Sequence, residues 1–109
     1  MIWKLDYLPE AKEDLRKLND SDRRKVLNIL ERVASNPLPV SEGGYGKPLG
    51  NHRGRNLSGL LKVKLKKEGI RVVYRLQRTE NGMLVIVIGA RADEEVYDDA
   101  WQRRRRHQL

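Results

Sequence analysis

Met83 to Ile88 is apolar at every position, in a chain where 35% of the residues are charged. The run is too short to cross a bilayer, which takes about 20 residues. Leu84 to Ile88 instead marks a strand buried on both faces, so the remaining elements are read as the sheet beside it and the helices over it. Two alternating segments precede it. Leu61, Val63 and Leu65 interleave with Lys62, Lys64 and Lys66, and Ile70, Val72, Tyr74 and Leu76 interleave with Arg71, Val73, Arg75 and Gln77. Asn81-Gly82 is a strong hairpin signal and Lys67-Glu68-Gly69 a plausible one.

The first half of the chain reads differently. Ile2 to Leu8 alternates as a first strand. Pro9 suits the opening turn of a helix, with Ala11, Leu15 and Leu18 at helical spacing. Asn19-Asp20-Ser21 breaks it, and Asp20 or Ser21 can cap a second helix. That helix carries the stripe Val26, Leu27, Ile29, Leu30, Val33 and Ala34, and Asn36-Pro37 ends it. Leu38 to Asn56, rich in glycine and proline, reads as a long irregular connection of the kind that is often functional. Asp93 to Arg106 reads as a short terminal helix leading into a basic tail. The predicted fold is α+β, in the order β-α-α-β-β-β: a helical hairpin on a small, mainly antiparallel sheet, followed by a short C-terminal helix. Its 109 residues suit one domain over 1–109, with residues 103–109 as a tail prone to disorder.

Composition removes several kinds of chemistry. The chain has no cysteine, so disulfides, thiol nucleophiles and cysteine-held metals are excluded. Its two histidines, His52 and His107, are far apart in sequence, which argues against a histidine metal site. The N-terminus shows no signal-peptide pattern, and a cytoplasmic protein is expected. Charge is concentrated. Lys47 to Arg78 holds ten basic residues and one acid, so this window carries +9 of a total of +8 and the rest sums to −1. A field so focused suits a polyanion, RNA or DNA ahead of acidic protein or anionic lipid, although any single lysine is more simply a solvated charge.

A tight turn after Lys66 would set Leu65 opposite Ile70, Lys64 opposite Arg71 and Lys62 opposite Val73. Lys62, Lys64 and Arg71 would then share one face. Like charges opposite one another in a sheet repel, so such a cluster either spreads into solvent or serves an anion, and phosphate is the natural candidate. Arg91 ends the buried strand near this hairpin, and Tyr97 follows six residues later. Taken singly, these two read as a salt-bridge partner and a core anchor.

Together the pieces resemble a family. Lys62-Val-Lys64-Leu, Gly69-Ile-Arg71-Val-Val-Tyr74-Arg75, Val87-Ile-Gly89-Ala-Arg91 and Glu95-Val-Tyr97 occur in the order and spacing of the RelE toxins, within the wider RelE/ParE superfamily. Lys47-Pro-Leu49-Gly50 and the β-α-α opening fit as well. The resemblance implies the RelE-like microbial ribonuclease fold and an enzyme that cuts mRNA in the ribosomal A site of the 30S subunit without metal or other cofactor. It implies Lys62, Lys64, Arg71, Arg91 and Tyr97 as catalytic positions. In the implied reaction the 2′-hydroxyl attacks the adjacent phosphate, leaving a 2′,3′-cyclic phosphate and a 5′-hydroxyl. That chemistry needs a base, an acid and cations around a doubly charged phosphorane. Crowded cations depress one another's pKa, so Lys64 or Lys62 can serve as base. Arg71 would stabilise the phosphorane, Arg91 would neutralise or protonate the leaving group, and Tyr97 would orient the 2′-hydroxyl or stack on a base.

Lys47, Arg53, Arg55, Lys66 and Arg75 are the expected RNA contacts, with Arg53 or Arg55 replacing a family contact that the long loop obscures. Ala90 stands where family members often carry a basic residue. Arg103 to Arg106 would touch RNA or an acidic partner, or remain a solvated tail. The implied partners are mRNA, the ribosome and a cognate RelB-like antitoxin that covers the basic face or displaces the terminal helix. Operator DNA would be reached only through the antitoxin, and no membrane is involved. Two other readings share the fold: a ParE-like inhibitor of DNA gyrase, and a non-catalytic RNA- or ribosome-binding module.

Overall fold

In the computed structural model, which describes residues 2–109, the chain runs β1 (Lys4–Tyr7), α1 (Pro9–Lys17), α2 (Asp20–Ala34), β2 (Lys47–Pro48), β3 (Asn51–His52), β4 (Arg55–Asn56), β5 (Leu60–Leu65), β6 (Ile70–Gln77), β7 (Gly82–Gly89) and α3 (Asp93–Arg106). Five strands form one sheet in the order β1-β7-β6-β5-β2, and β3 and β4 form a separate ribbon. Only β1 and β7 run parallel; the other neighbours in the sheet are antiparallel. The apolar run accounts for the centre of this arrangement. β7 is paired along both edges and packed against by α1 and α3, and all eight of its residues are buried. The fold is the expected α+β arrangement. Among the described residues no helix is long and apolar enough to cross a membrane.

The helical hairpin is closed by one side chain. Arg23 of α2 donates to the carbonyls of Leu15, Arg16 and Leu18 at 3.2, 2.9 and 2.6 Å, at the end of α1 where helical partners run out; Leu15 also accepts from the Leu18 amide. The N-cap of α2 is Asn19, rather than Asp20 or Ser21. Its side-chain oxygen accepts from the Asp22 amide at 2.8 Å, and Asp20 and Ser21 lie inside the first turn. Within the α2 stripe Val26, Leu30, Val33 and Ala34 are buried, while Leu27 is turned outward.

Two turns differ from expectation. Asn81-Gly82 is not a two-residue hairpin: Arg78–Glu80 form a short 3-10 turn, Asn81 takes φ 49°, and Gly82 already pairs with Gln77 in the ladder. The asparagine thus supplies the left-handed residue that ends the 3-10 turn. The stretch from Leu38 to Asn56 is also less irregular than its composition suggests. It adds β2 to the sheet edge and folds β3 and β4 into a hairpin whose turn residues, Arg53 and Gly54, have φ 51° and 79°. Positive φ at both places is what a tight hairpin turn requires, and Arg-Gly is a weak signal for it beside Asn-Gly. Gly46 lets this segment lie close to the sheet, since a Cβ there would stand 2.3 Å from the Tyr74 hydroxyl. That hydroxyl, fully buried, donates to the Pro37 carbonyl at 2.8 Å, and burial raises its pKa.

The basic run at the C-terminus continues α3 instead of forming a separate tail. Arg103 makes two bonds to Asp14 of α1, at 2.6 and 3.1 Å, and one to the Ile86 carbonyl at 2.9 Å, while the Ile88 amide donates to the same carboxylate at 3.0 Å. Both side chains of this pair are largely buried, so α3, α1 and β7 are tied at one point. Acids in the first turn of α3 and arginines in its last also suit the helix dipole.

Candidate active site

The β5–β6 register is the one that a tight turn dictates: Leu65 opposite Ile70, Lys64 opposite Arg71 and Lys62 opposite Val73. Gly69, at φ 70°, permits the turn. β2 adds a cation that the hairpin alone does not place, because Lys47 stands directly across from Lys62. Two cross-strand pairs of like charge, Lys47–Lys62 and Lys64–Arg71, therefore lie side by side. Each is unfavourable without an anion.

Tyr97, on α3, is 2% exposed and meets this row from above the sheet. Lys62 donates from Nζ to the Tyr97 hydroxyl at 2.6 Å and lies 5.4 Å from the ring centroid. The β3–β4 hairpin sets His52 against the other part of that ring, with centroids 4.6 Å apart and planes at 46°. His52 carries no signal in the sequence beyond being a lone loop histidine, and only the hairpin gives it a position.

The arginines are held differently from the lysines. Arg71, whose side chain is 15% exposed, pairs through Nε with Asp93 and donates from Nη1 to the carbonyls of Gly69 and Arg91 at 2.7 and 2.5 Å. Arg91 pairs with Asp99. Arg53 and Arg55 approach Glu94 at 3.5 and 3.6 Å, and Arg55 also reaches Asp98 at 3.2 Å. All four acids belong to α3. Hydrogen bonding from Arg71 lowers the Asp93 pKa against the opposing effect of burial, and Lys62 and Lys64 lower it further. The Asp99 contact raises the Arg91 pKa. Lys47, Lys62, Lys64 and Lys66, by contrast, form no ion pair with any carboxylate among the described residues.

Lys62, Lys64, Arg71, Arg91 and Tyr97 are thus joined through direct contacts, shared partners or strand register. Lys47 and Lys66 border the same region, in a groove of about 350 Å³ with Lys62 and Lys64. Arg53 and Arg55 reach it through α3. Arg75 does not join them. It is four residues along β6 from Arg71, ~13 Å of extended strand, and lines a different and larger groove of about 780 Å³ with Leu60, Leu76 and Gln77. That larger groove has none of the clustered cations of the site. The residues that sequence reasoning passed over are Asp93 and Glu94, in the acidic first turn of α3, and Asp98 and Asp99 one turn further on.

Comparison with known proteins gives the arrangement a context. No protein-family model matches the chain. The mRNA interferase toxin RelE of Escherichia coli K12 is 28% identical over 103 residues, which cover 94% of this chain and 98% of that protein. A double mutant of the E. coli RelE toxin in the free state superposes with a TM-score of 0.71 at 27% identity, over 94% of this chain and 98% of that one. A mutant of the same toxin bound to a peptide of its antitoxin RelB gives 0.68 at 26% identity, over 92% and 95%. With near-complete coverage in both sequence and structure, the chain is similar to RelE toxins over almost its whole length.

Proposed function

We propose that the protein is the toxin of a type II toxin–antitoxin pair, and that it is a ribosome-dependent mRNA endonuclease. The observation that carries this reading is the meeting of Lys62, Lys64, Arg71, Arg91 and Tyr97 at one place, with Lys62 hydrogen-bonded to Tyr97 across 35 residues of chain. In the proposed reaction Lys62 or Lys64 takes the 2′-hydroxyl proton. The oxygen attacks the adjacent phosphorus, the bond to the 5′-oxygen breaks, and that oxygen leaves as a hydroxyl by taking a proton from whichever of the two lysines has stayed charged. In this reading Arg71 and the row of lysines stabilise the charge that develops on the phosphorane, a role that favours a transition state over a ground state. The raised pKa of Arg91 favours a role as neutraliser of the leaving oxygen over one as proton donor. Tyr97, held by Lys62 and His52, is set to orient the 2′-hydroxyl. Such a set is short of strong acids and bases, so much of the rate must come from holding the mRNA in line, which the ribosome supplies.

The implied partner is an antitoxin that masks the cationic face, in keeping with the RelB peptide bound to the E. coli toxin. Arg53 and Arg55 serve as backbone contacts to RNA once Glu94 and Asp98 give way. The deciding experiment is primer-extension mapping of an mRNA in a translation extract, with and without ribosomes, for the wild type and Arg91→Ala. Codon-phased cuts that need ribosomes and vanish in the variant support the nuclease. Growth arrest by the wild type with no cuts overturns it and turns attention to gyrase.

A further inference from the structure

The lysines lead away from the scissile phosphate as well as toward it. β2 pairs with β5 only at Lys62 and Leu61, so beyond Lys62 the outer edge of β5 borders a groove instead of another strand. Ile29 and Val33 of α2 and Val63 give this groove an apolar lining, and Tyr45, 48% exposed, completes it beside Lys47, Lys62, Lys64 and Lys66. Among the described residues no carboxylate lines it. The contrast with the arginine half of the site is chemical. There, α3 supplies an internal anion for every guanidinium; here four lysines line the groove and none of them forms an ion pair among the described residues.

An exposed aromatic ring, an apolar wall and unpaired cations match the parts of a nucleotide. A base stacks on the ring, and the phosphates on either side of it meet lysines. The volume is at the lower end of the roughly 300–1,000 Å³ typical of small-ligand sites, which suits one nucleotide better than a helix. Lys62 and Lys64 belong to both the groove and the candidate active site, so a strand lying across one runs directly into the other.

We propose that the groove between α2 and β5 is a nucleotide subsite, in which a base flanking the scissile phosphate stacks on Tyr45 while Lys47 and Lys66 hold the neighbouring phosphates. The assignment deepens the RNA-cleaving reading and rests on it. The two are tested apart by measuring binding and cleavage on the same proteins. The full chain, as wild type, Tyr45→Ala and Tyr45→Phe, is titrated with a fluorescent single-stranded oligouridylate and, separately, with poly-L-glutamate. Each protein is also assayed for ribosomal cleavage and thermal melting. Loss of the ring should weaken RNA binding about tenfold, phenylalanine should restore it, and melting should not change. Poly-L-glutamate should bind the wild type and Tyr45→Ala alike. Equal RNA affinity of the wild type and Tyr45→Ala, or no RNA binding by the wild type, overturns the subsite. Poly-L-glutamate binding that falls with Tyr45→Ala while RNA binding does not assigns the groove to an acidic polypeptide instead. Tyr45-dependent RNA binding without ribosomal cleavage leaves the subsite standing and removes the nuclease.

Discussion

Arg71 shows how one residue can be read correctly from sequence and still hold a surprise. Alternation along two strands and a tight turn fix its register, so its place beside Lys62 and Lys64 is legible. Its anchoring is not. Asp93 lies 22 residues away, and nothing local announces that a helix will bring a carboxylate to this guanidinium. Since Arg71 also satisfies two carbonyls, Arg71→Ala should lower unfolding free energy by about 1–3 kcal/mol in urea titrations, apart from any effect on cleavage. Arg71→Lys restores the charge but not the planar fork, so it should recover little of that stability. Asp93→Asn acts in the other direction. With the carboxylate neutralised, Arg71 becomes available to phosphate, and single-stranded RNA should bind more tightly by fluorescence anisotropy.

Among the elements, α3 was legible to its boundaries and still misjudged at its end. The sequence reading places the helix at its observed bounds, yet a run of four arginines looks the same in sequence whether it is solvated or buried against a partner. Asp14, 89 residues away, makes the difference for Arg103. Arg103→Ala leaves that carboxylate largely buried and without its partner, and about 3–5 kcal/mol should be lost in denaturant melts. The other tie between α1 and α3 is Glu10. Burial disfavours its ionised form, but hydrogen bonds from His107 and Arg106 prevail and bring its pKa from 4.5 to about 2. A carboxyl that titrates lower when folded stabilises the fold above its unfolded pKa. This contribution is lost as pH falls from 4.5 toward 2. Glu10→Gln should therefore flatten part of the acid limb when stability is measured at a series of pH values across that window. On the loop side, Gly46→Ala should cost about 1–3 kcal/mol in the same kind of melt, because a methyl group there displaces the Tyr74 hydroxyl from its bond to Pro37.

Across the whole molecule, charge is segregated twice. The sequence concentrates the positive residues between Lys47 and Arg78, and the fold then pairs Arg53, Arg55 and Arg71 with α3 while Lys47, Lys62, Lys64 and Lys66 are left open at the sheet edge. This division has a measurable consequence. If the four open lysines of the groove each neutralise a phosphate, log affinity for single-stranded RNA against log salt should have a slope of about −3. A shallower line, near zero, would show that the lysines are merely solvated; release of the paired arginines would make it steeper. The sequence by itself determined the order of the longer elements, the buried central strand, the β5–β6 register and the RelE resemblance. Each of these depends on periodicity, turn chemistry or short motifs, which act over a few residues. Tertiary structure alone decided that His52 packs on Tyr97, that Asp93 and Asp99 cover the arginines, that Arg103 is buried, that Arg75 stands apart, and that β2 stops short and leaves a groove at Tyr45. The physical reason is common to all five. Pairing and burial depend on which distant segments meet, and charged or aromatic side chains look alike in sequence until their neighbours are in place.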